Sequence, residues 1–479
     1  MSVEILARIQ FAFTIAFHYI YPPLSIGLGV VLVIMEGMFL KTRNPMYEQL
    51  TRFWIRIFAL IFGIGVATGI VMEFEFGTNW ATYSRYVGDI FGSALAAEGI
   101  FAFALESGFL GILLFGWHRV SPRVHFFSTV MVALGSMFSA LWIVVANSWQ
   151  QTPAGFHIVG TGLTARAEVT DFWAMIFNPS SVDRLSHAMI GSFLAGSFLV
   201  LSVSAFYLRK GRFVDSSKAA FKIALAVATV SGLGQLITGH HSANGVAVNQ
   251  PAKLAAFEGH YAASAPADIY LLGWVNTKTQ KVSGLGIPGG LSFLLHQDFK
   301  APVRGLNSFR PEDRPPVNFV FQTYHLMVAI GMTLIGLTLL ACWMLWRGRL
   351  WQSRWLLSVF VAAVLLPQIG NQVGWYSAEV GRQPWVVYGL LRTSHALSKA
   401  VTAGQVWFSL ILFTLVYALL FALFLYLMNK KIQHGPGEET PNEDGSDGLL
   451  SPASKRNNPV ISHDAPAASS AALSHVSDL

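Results

Sequence analysis

Seven residues in apolar surroundings are of types that do redox or proton chemistry: His18, Glu98, Glu106, His187, Met327, Glu379 and Arg382. An ionisable group inside an apolar helix is costly, so each needs a partner or a task. His187 and Met327 could place an imidazole nitrogen and a thioether on opposite sides of a haem iron. That pair gives a six-coordinate, low-spin iron suited to electron transfer, because no position is left open for oxygen. The competing view is packing, the ordinary use of a Met in an apolar helix, and the chain has 13 of them. His18 could be the axial ligand of a second haem, or a satisfied polar residue near lipid headgroups. Glu379 stands three residues before Arg382 in Gly381-Arg382-Gln383-Pro384-Trp385. It could ligate iron while Arg382 pairs with a propionate, or the two could form a simple ion pair. Glu98 and Glu106 lie roughly 12 Å apart along one helix axis. They could relay protons, or pair with a neighbouring helix or subunit.

A second group follows His240-His241: Asn249-Gln250-Pro251-Ala252-Lys253, then Glu258. Oxidising a quinol releases two protons with two electrons. A carboxylate and a lysine at the membrane surface could take a proton and anchor a ring oxygen. By charge alone, both could equally be solvated loop residues. Copper is disfavoured, since His18 is the one histidine deep in an apolar run and His240-His241 are too few.

These residues must be positioned by apolar helices. Of the 479 residues, 53% are hydrophobic and only 12% charged, about half the charge of a soluble domain. Runs long enough to cross a membrane as helices fall near 11–40, 54–76, 91–116, 126–148, 186–208, 220–240, 318–346, 355–376 and 402–428. The fold expected is an all-α polytopic membrane protein of about nine helices, since open sheet edges cannot sit in lipid. One cysteine, Cys342, excludes an internal disulfide or a multi-thiolate cluster.

Basic residues set the expected orientation. Lys41, Arg43, Arg52 and Arg56 occupy the first connection, Arg119 and Arg123 the third. Arg209, Lys210, Arg212, Lys218 and Lys222 occupy the fifth, Arg347, Arg349 and Arg354 the seventh, and Lys430 and Lys431 follow the last span. Arg85 in the second connection, and Arg166 and Arg184 in the fourth, are fewer and partly balanced by acids. The N-terminus is thus expected outside and the C-terminus in the cytoplasm. The +7 net charge then reports topology rather than nucleic-acid binding. No cleavable signal peptide, internal repeat or inverted pair of broken helices is evident. The organisation expected is residues 1–241 as helices 1–6, 242–316 as an outer segment, 317–431 as helices 7–9, and 432–479 as a disordered cytoplasmic tail.

The sequence resembles subunit I of the cytochrome bd-type quinol oxidases, most closely the cyanide-insensitive branch, over about residues 3–428. The likeness is carried by Gly77-Thr78-Asn79-Trp80-Ala81, Tyr86-Val87-Gly88-Asp89-Ile90-Phe91-Gly92, Ala97-Glu98-Gly99, Leu105-Glu106-Ser107, Asn147-Ser148-Trp149-Gln150-Gln151-Thr152-Pro153, Gln250-Pro251-Ala252-Lys253 and Gly381-Arg382-Gln383-Pro384-Trp385. The resemblance implies that His187 and Met327 ligate low-spin haem b. It implies that His18 and Glu379 are axial ligands of two closely spaced high-spin haems, a haem b and a haem d (or a further haem b in its place), with Trp375 and Arg382 packed around them. Glu98, also a candidate iron ligand, and Glu106 would serve the oxygen site and its proton path, Lys253 and Glu258 the quinol segment. It further implies a multi-pass protein of the bacterial inner membrane. This enzyme would oxidise ubiquinol or another quinol outside and reduce O2 to water with cytoplasmic protons, building a proton motive force without a pump. A second membrane subunit is implied, with a small accessory subunit as a further candidate. His325 departs from the family, much of which has Arg two residues before the Met, and the outer segment is short. A proton-coupled transporter and a haem-bearing electron-transfer anchor without an oxygen site are the alternatives.

Overall fold

The computed structural model describes residues 1–437. Among them, nine stretches are long and apolar enough to cross a membrane, the number read from the sequence. The polar tail expected from residue 432 lies outside the described residues except at its start, where the last helix runs on to His434.

The first stretch differs from the single helix expected near 11–40. Helix α1 (Val3–His18) begins at Ser2, whose hydroxyl accepts the Ile5 amide. Helix α2 (Tyr21–Thr42) restarts with Pro22 and Pro23 in its first turn, where an absent amide proton has no helical partner to lose. His18 is therefore the last residue of α1, at a break in the chain. Helix α3 (Pro45–Thr78) is capped by Asn44, whose side chain accepts the Met46 amide at 3.0 Å. After the short α4 (Ala81–Tyr86), the third stretch consists of α5 (Gly88–Ala97), a π-helical turn (Glu98–Phe103) and α6 (Ala104–Phe115). π-turns concentrate at functional sites, and this one opens on Glu98.

Helix α7 (Pro122–Gln151), capped by Ser121, leads into the hairpin β1 (Phe156–Val159) and β2 (Arg166–Val169), where Phe156 pairs with Val169. Helices α8 (Phe172–Ile176), α9 (Ser181–Lys210) and α10 (Val214–Asn249) follow. The segment after α10 is more ordered than a loop. It holds α11 (Pro251–Phe257), the hairpin β3 (Ile269–Asn276) and β4 (Lys281–Ile287), and α12 (Gly290–His296). His240 and His241 lie within α10, not at its end. Helix α13 (Val317–Trp346) is continuous, whereas the eighth stretch divides into α14 (Arg354–Ala362) and α15 (Leu365–Val380). Glu379 belongs to the last turn of α15 rather than to the segment beyond it. The hairpin β5 (Trp385–Val387) and β6 (Leu391–Arg392) precedes α16 (Ala403–His434).

In lipid there is little hydrophobic drive between helices, so close approach depends on small residues. A Cβ placed on Gly196 of α9 would lie 2.2 Å from the Gly27 carbonyl carbon of α2, and one on Gly27 would lie 2.2 Å from the Ser192 oxygen. The two backbones touch. Gly196→Val is expected to prevent accumulation of folded protein in the membrane, whereas Gly63→Ala, where a Cβ meets nothing within 4 Å, should not. Membrane-fraction yield distinguishes the two. A buried polar clamp adds to this packing. His125 Nδ1 of α7 lies 2.6 Å from Glu36 Oε1 of α2, Nε2 lies 3.2 Å from the Leu113 carbonyl oxygen, and Thr129 donates to Glu36 Oε2 at 2.5 Å. Nothing local in the sequence marks Glu36, because its partner His125 lies 89 residues away.

Candidate functional site

A cavity of about 730 Å³ opens among α1, α3, the Glu98 turn, α7 and α15. His18, Glu73, Glu98, Glu106, Trp375 and Glu379 all line it. Its size suits a large organic cofactor. Six of the candidate residues read from the sequence, His18, Glu98, Glu106, Trp375, Glu379 and Arg382, thus meet at one space.

Each is held by a neighbour. His18 Nδ1 lies 3.0 Å from the Thr68 hydroxyl of α3. Ser139 of α7 donates to Glu98 Oε1 at 2.5 Å, and Ser136, one turn earlier, donates to Glu106. A Cβ on Gly135 would come within 2.9 Å of the Glu106 Cβ, so glycine there lets α6 and α7 close on the carboxylate. One face of α7 therefore serves both acids.

Glu379 occupies the most heavily bonded position. Oε1 accepts from Asn147 Nδ2 at 3.2 Å and Gln151 Nε2 at 3.1 Å, and Arg382 donates to Oε2. Arg184 Nη2 lies 3.7 Å from Oε1 and also donates to Asn147, while its guanidinium stacks over Trp375 at 5.4 Å. Arg382 is anchored in turn by Gln150, at 2.8 Å. The ion pair between Glu379 and Arg382 is therefore present. It explains the Asn147…Gln151 motif, three of whose side chains build this shell. By sequence Arg184 is a charge of the fourth connection, whereas the structure places it inside α9. It lies one turn before His187 in α9, and its burial followed from the fold rather than from any local pattern.

Lys253 is not at a surface. It is 2% exposed and donates from Nζ to Gln151 Oε1 and Gln250 Oε1, both at 2.6 Å. Through Gln151 it reaches the Glu379 shell. Burial lowers its ammonium well below the usual lysine range, with Arg184 adding to the effect and Glu379 opposing it. Glu258 is also 2% exposed and turns elsewhere, to the apolar cluster around Phe257 and Phe321. Phe257 stacks on Tyr324 at 4.4 Å there. Glu258 Oε2 is buried without a hydrogen-bond partner, and burial pushes the carboxyl up to about 8. The expected pair of surface residues is thus two buried groups with different surroundings.

His187 and Met327 do not line the cavity. His187 Nδ1 lies 3.1 Å from the Thr238 hydroxyl of α10. Met327 Sδ sits over Gly374 of α15, where any Cβ would come within 2.8 Å of the sulfur. His325, two residues earlier, has its ring nitrogens 2.8 Å from the Phe321 oxygen and 2.7 Å from the Tyr270 oxygen. It ties α13 to β3.

The donor set fits haem. A histidine and a carboxylate share one cavity, and a histidine on α9 and a thioether on α13 stand on helices that both pack against α10 and α15. Arg184 and Arg382 exceed the single Glu379 in charge, and Arg184 Nε is buried without a partner. Haem propionates would answer both features.

Among the described residues, nine apolar stretches long enough to cross a membrane surround a cavity lined by ionisable side chains. A profile described as Cytochrome bd terminal oxidase subunit I matches residues 6–436. The chain is 39% identical over 446 residues to cytochrome bd ubiquinol oxidase subunit 1 of Bacillus subtilis (strain 168), covering 91% of this chain and 94% of the relative. It is 35% identical to cytochrome bd-II ubiquinol oxidase subunit 1 of Escherichia coli (strain K12), covering 90% and 96%. The bd oxidase structure from Geobacillus thermodenitrificans superposes with a TM-score of 0.83 at 28% identity, covering 90% of this chain and 99% of that one. The chain belongs to the cytochrome bd terminal oxidase subunit I family. It is an oxidoreductase subunit and a multi-pass protein of the bacterial inner membrane. This membership decides against a carrier.

Proposed function

We propose that this subunit oxidises a quinol at the outer face and reduces O2 to water, within the cyanide-insensitive, short-segment branch. The meeting of His18, Glu98 and Glu379 on one cavity carries the proposal. His18 and Glu379 hold the high-spin haem b and a haem d (or b in its place), and His187 and Met327 hold the low-spin haem b. Haem iron, when bound, supplies one-electron transfer and a position for oxygen.

The protein's own groups handle the protons. Glu258, in the quinol segment within residues 242–316, takes a proton from the substrate once its own carboxyl has ionised. Lys253 orients charge toward Glu379 through Gln151 rather than binding quinol at a surface. Glu106 and then Glu98, each held by a serine of α7, pass protons to the cavity from the cytoplasmic side. With the N-terminus outside, quinol protons leave on one face and oxygen takes protons from the other, so charge is separated without a pump. Apolar residues of α16 such as Phe408, Leu415 and Leu419 are exposed in the isolated chain and face lipid or a second membrane subunit.

The purified complex is expected to show low-spin and high-spin b-type bands in a reduced-minus-oxidised spectrum, and to consume O2 with added quinol. A colourless complex, or one with haem but no quinol-dependent O2 uptake, overturns the proposal.

A further inference from the structure

We propose that Thr68 and Thr238 are matched positioning residues, each locking a histidine in the tautomer whose Nε2 is free to bind iron. The proposal rests on the reading of His18 and His187 as haem ligands.

A threonine hydroxyl has one proton to donate and two lone pairs to accept with. The Thr68 hydroxyl lies 2.9 Å from the Ile64 carbonyl oxygen and 3.0 Å from that of Gly65, so its proton is used within its own helix. Toward His18 Nδ1, 3.0 Å away, it is left to accept. Nδ1 must then carry the hydrogen, and the in-ring lone pair sits on Nε2. The same logic recurs 170 residues later. The Thr238 hydroxyl has acceptors at 3.2 Å (the Gly234 carbonyl) and 3.1 Å (Gln235 Oε1), and His187 Nδ1 lies 3.1 Å from it. His187 Nδ1 is thereby the donor, and its Nε2 is free.

The residue after each threonine completes the device. A Cβ on Gly69 would lie 3.3 Å from His18 Cε1, and one on Gly239 would lie 3.5 Å from His187 Cε1. Each imidazole rests against a glycine backbone while the preceding hydroxyl holds its Nδ1. A threonine–glycine step on a neighbouring helix thus fixes ring plane and tautomer at both histidines. A ligand imidazole whose other N–H is hydrogen-bonded is a more basic donor and favours the oxidised metal. Removing the acceptor should therefore raise the reduction potential of the iron it serves.

The experiment uses the intact purified complex and reads haem content, optical spectrum and midpoint potential. In Thr238→Val, nearly isosteric but without an acceptor, the low-spin haem should shift to higher potential or be lost. Thr238→Ser should restore both content and potential. Thr68→Val should alter the high-spin signals and leave the low-spin band in place. An unchanged low-spin potential at full haem content in Thr238→Val overturns the proposal. So does a shift of equal size in Thr238→Ser, since the hydroxyl would then be irrelevant. His187→Ala tests the underlying reading separately: a retained low-spin band there removes His187 as a ligand, whatever the threonine variants do.

Discussion

Replacing Met327 with leucine is expected to abolish the low-spin b-type band while the complex still assembles. Leucine nearly matches methionine in volume, and such swaps generally cost less than about 1.5 kcal/mol. The sulfur sits against Gly374, which has no side chain to clash with a branched neighbour's methyl groups. Folding should survive, and only the thioether is lost. Quinol-dependent O2 uptake should fall by at least the roughly 10–100-fold that follows loss of a ligand's supporting contacts. A normal low-spin spectrum in Met327→Leu would return Met327 to the packing methionines.

Glu258→Gln should have the second large effect. A carboxyl raised to about 8 is mostly protonated at neutral pH and cannot then accept a proton. The wild-type rate of quinol oxidation should accordingly climb with pH through about 8. The amide cannot ionise, so the variant should lose that limb and fall by about 100-fold or more, the usual range for a lost general base. Its reduction of O2 with an artificial donor should change little. An equal loss with both donors would remove Glu258 from the quinol step. The same group also affects stability. Its folded-state pKa lies above the unfolded 4.5, so the native state binds more protons between those values and stability falls as pH rises through that window. Glu258→Gln removes this dependence, and thermal unfolding at pH 6 and pH 9 should differ less than in wild type.

Much of this fold is visible in its composition. Nine apolar runs became nine apolar stretches because lipid leaves a helix few alternatives. The breaks are marked only by prolines, Pro22 and Pro23 in the first turn of α2 and Pro367 in the first turn of α15. Tyr19 and Ile20 are as apolar as their flanks, and the division of the eighth stretch before Leu365 has no charge to mark it. Residue types nominated His18, Glu98 and Glu379, since ionisable groups in apolar runs stand out. Their common cavity is a tertiary fact. The partners were harder still. Thr68, Thr238, Ser136 and Ser139 are ordinary helix residues until a neighbouring helix presents a histidine or an acid. Lys253 differs from expectation for a related reason: a lysine between an amide-rich run and a polar segment reads as solvated, and only contact with Gln151 reveals it as interior.

Gln151 has a consequence for any attempt to exchange parts between relatives. Its oxygen meets Lys253 and its nitrogen meets Glu379, and an amide cannot reverse those roles without facing cation to donor and anion to acceptor. The link is polarised, like a keyed plug. A chimaera that imports the stretch after α10 with a different residue at 253 would misalign this amide and disturb the carboxylate one helix away. Grafts in this region must therefore move residues 151 and 253 as one unit.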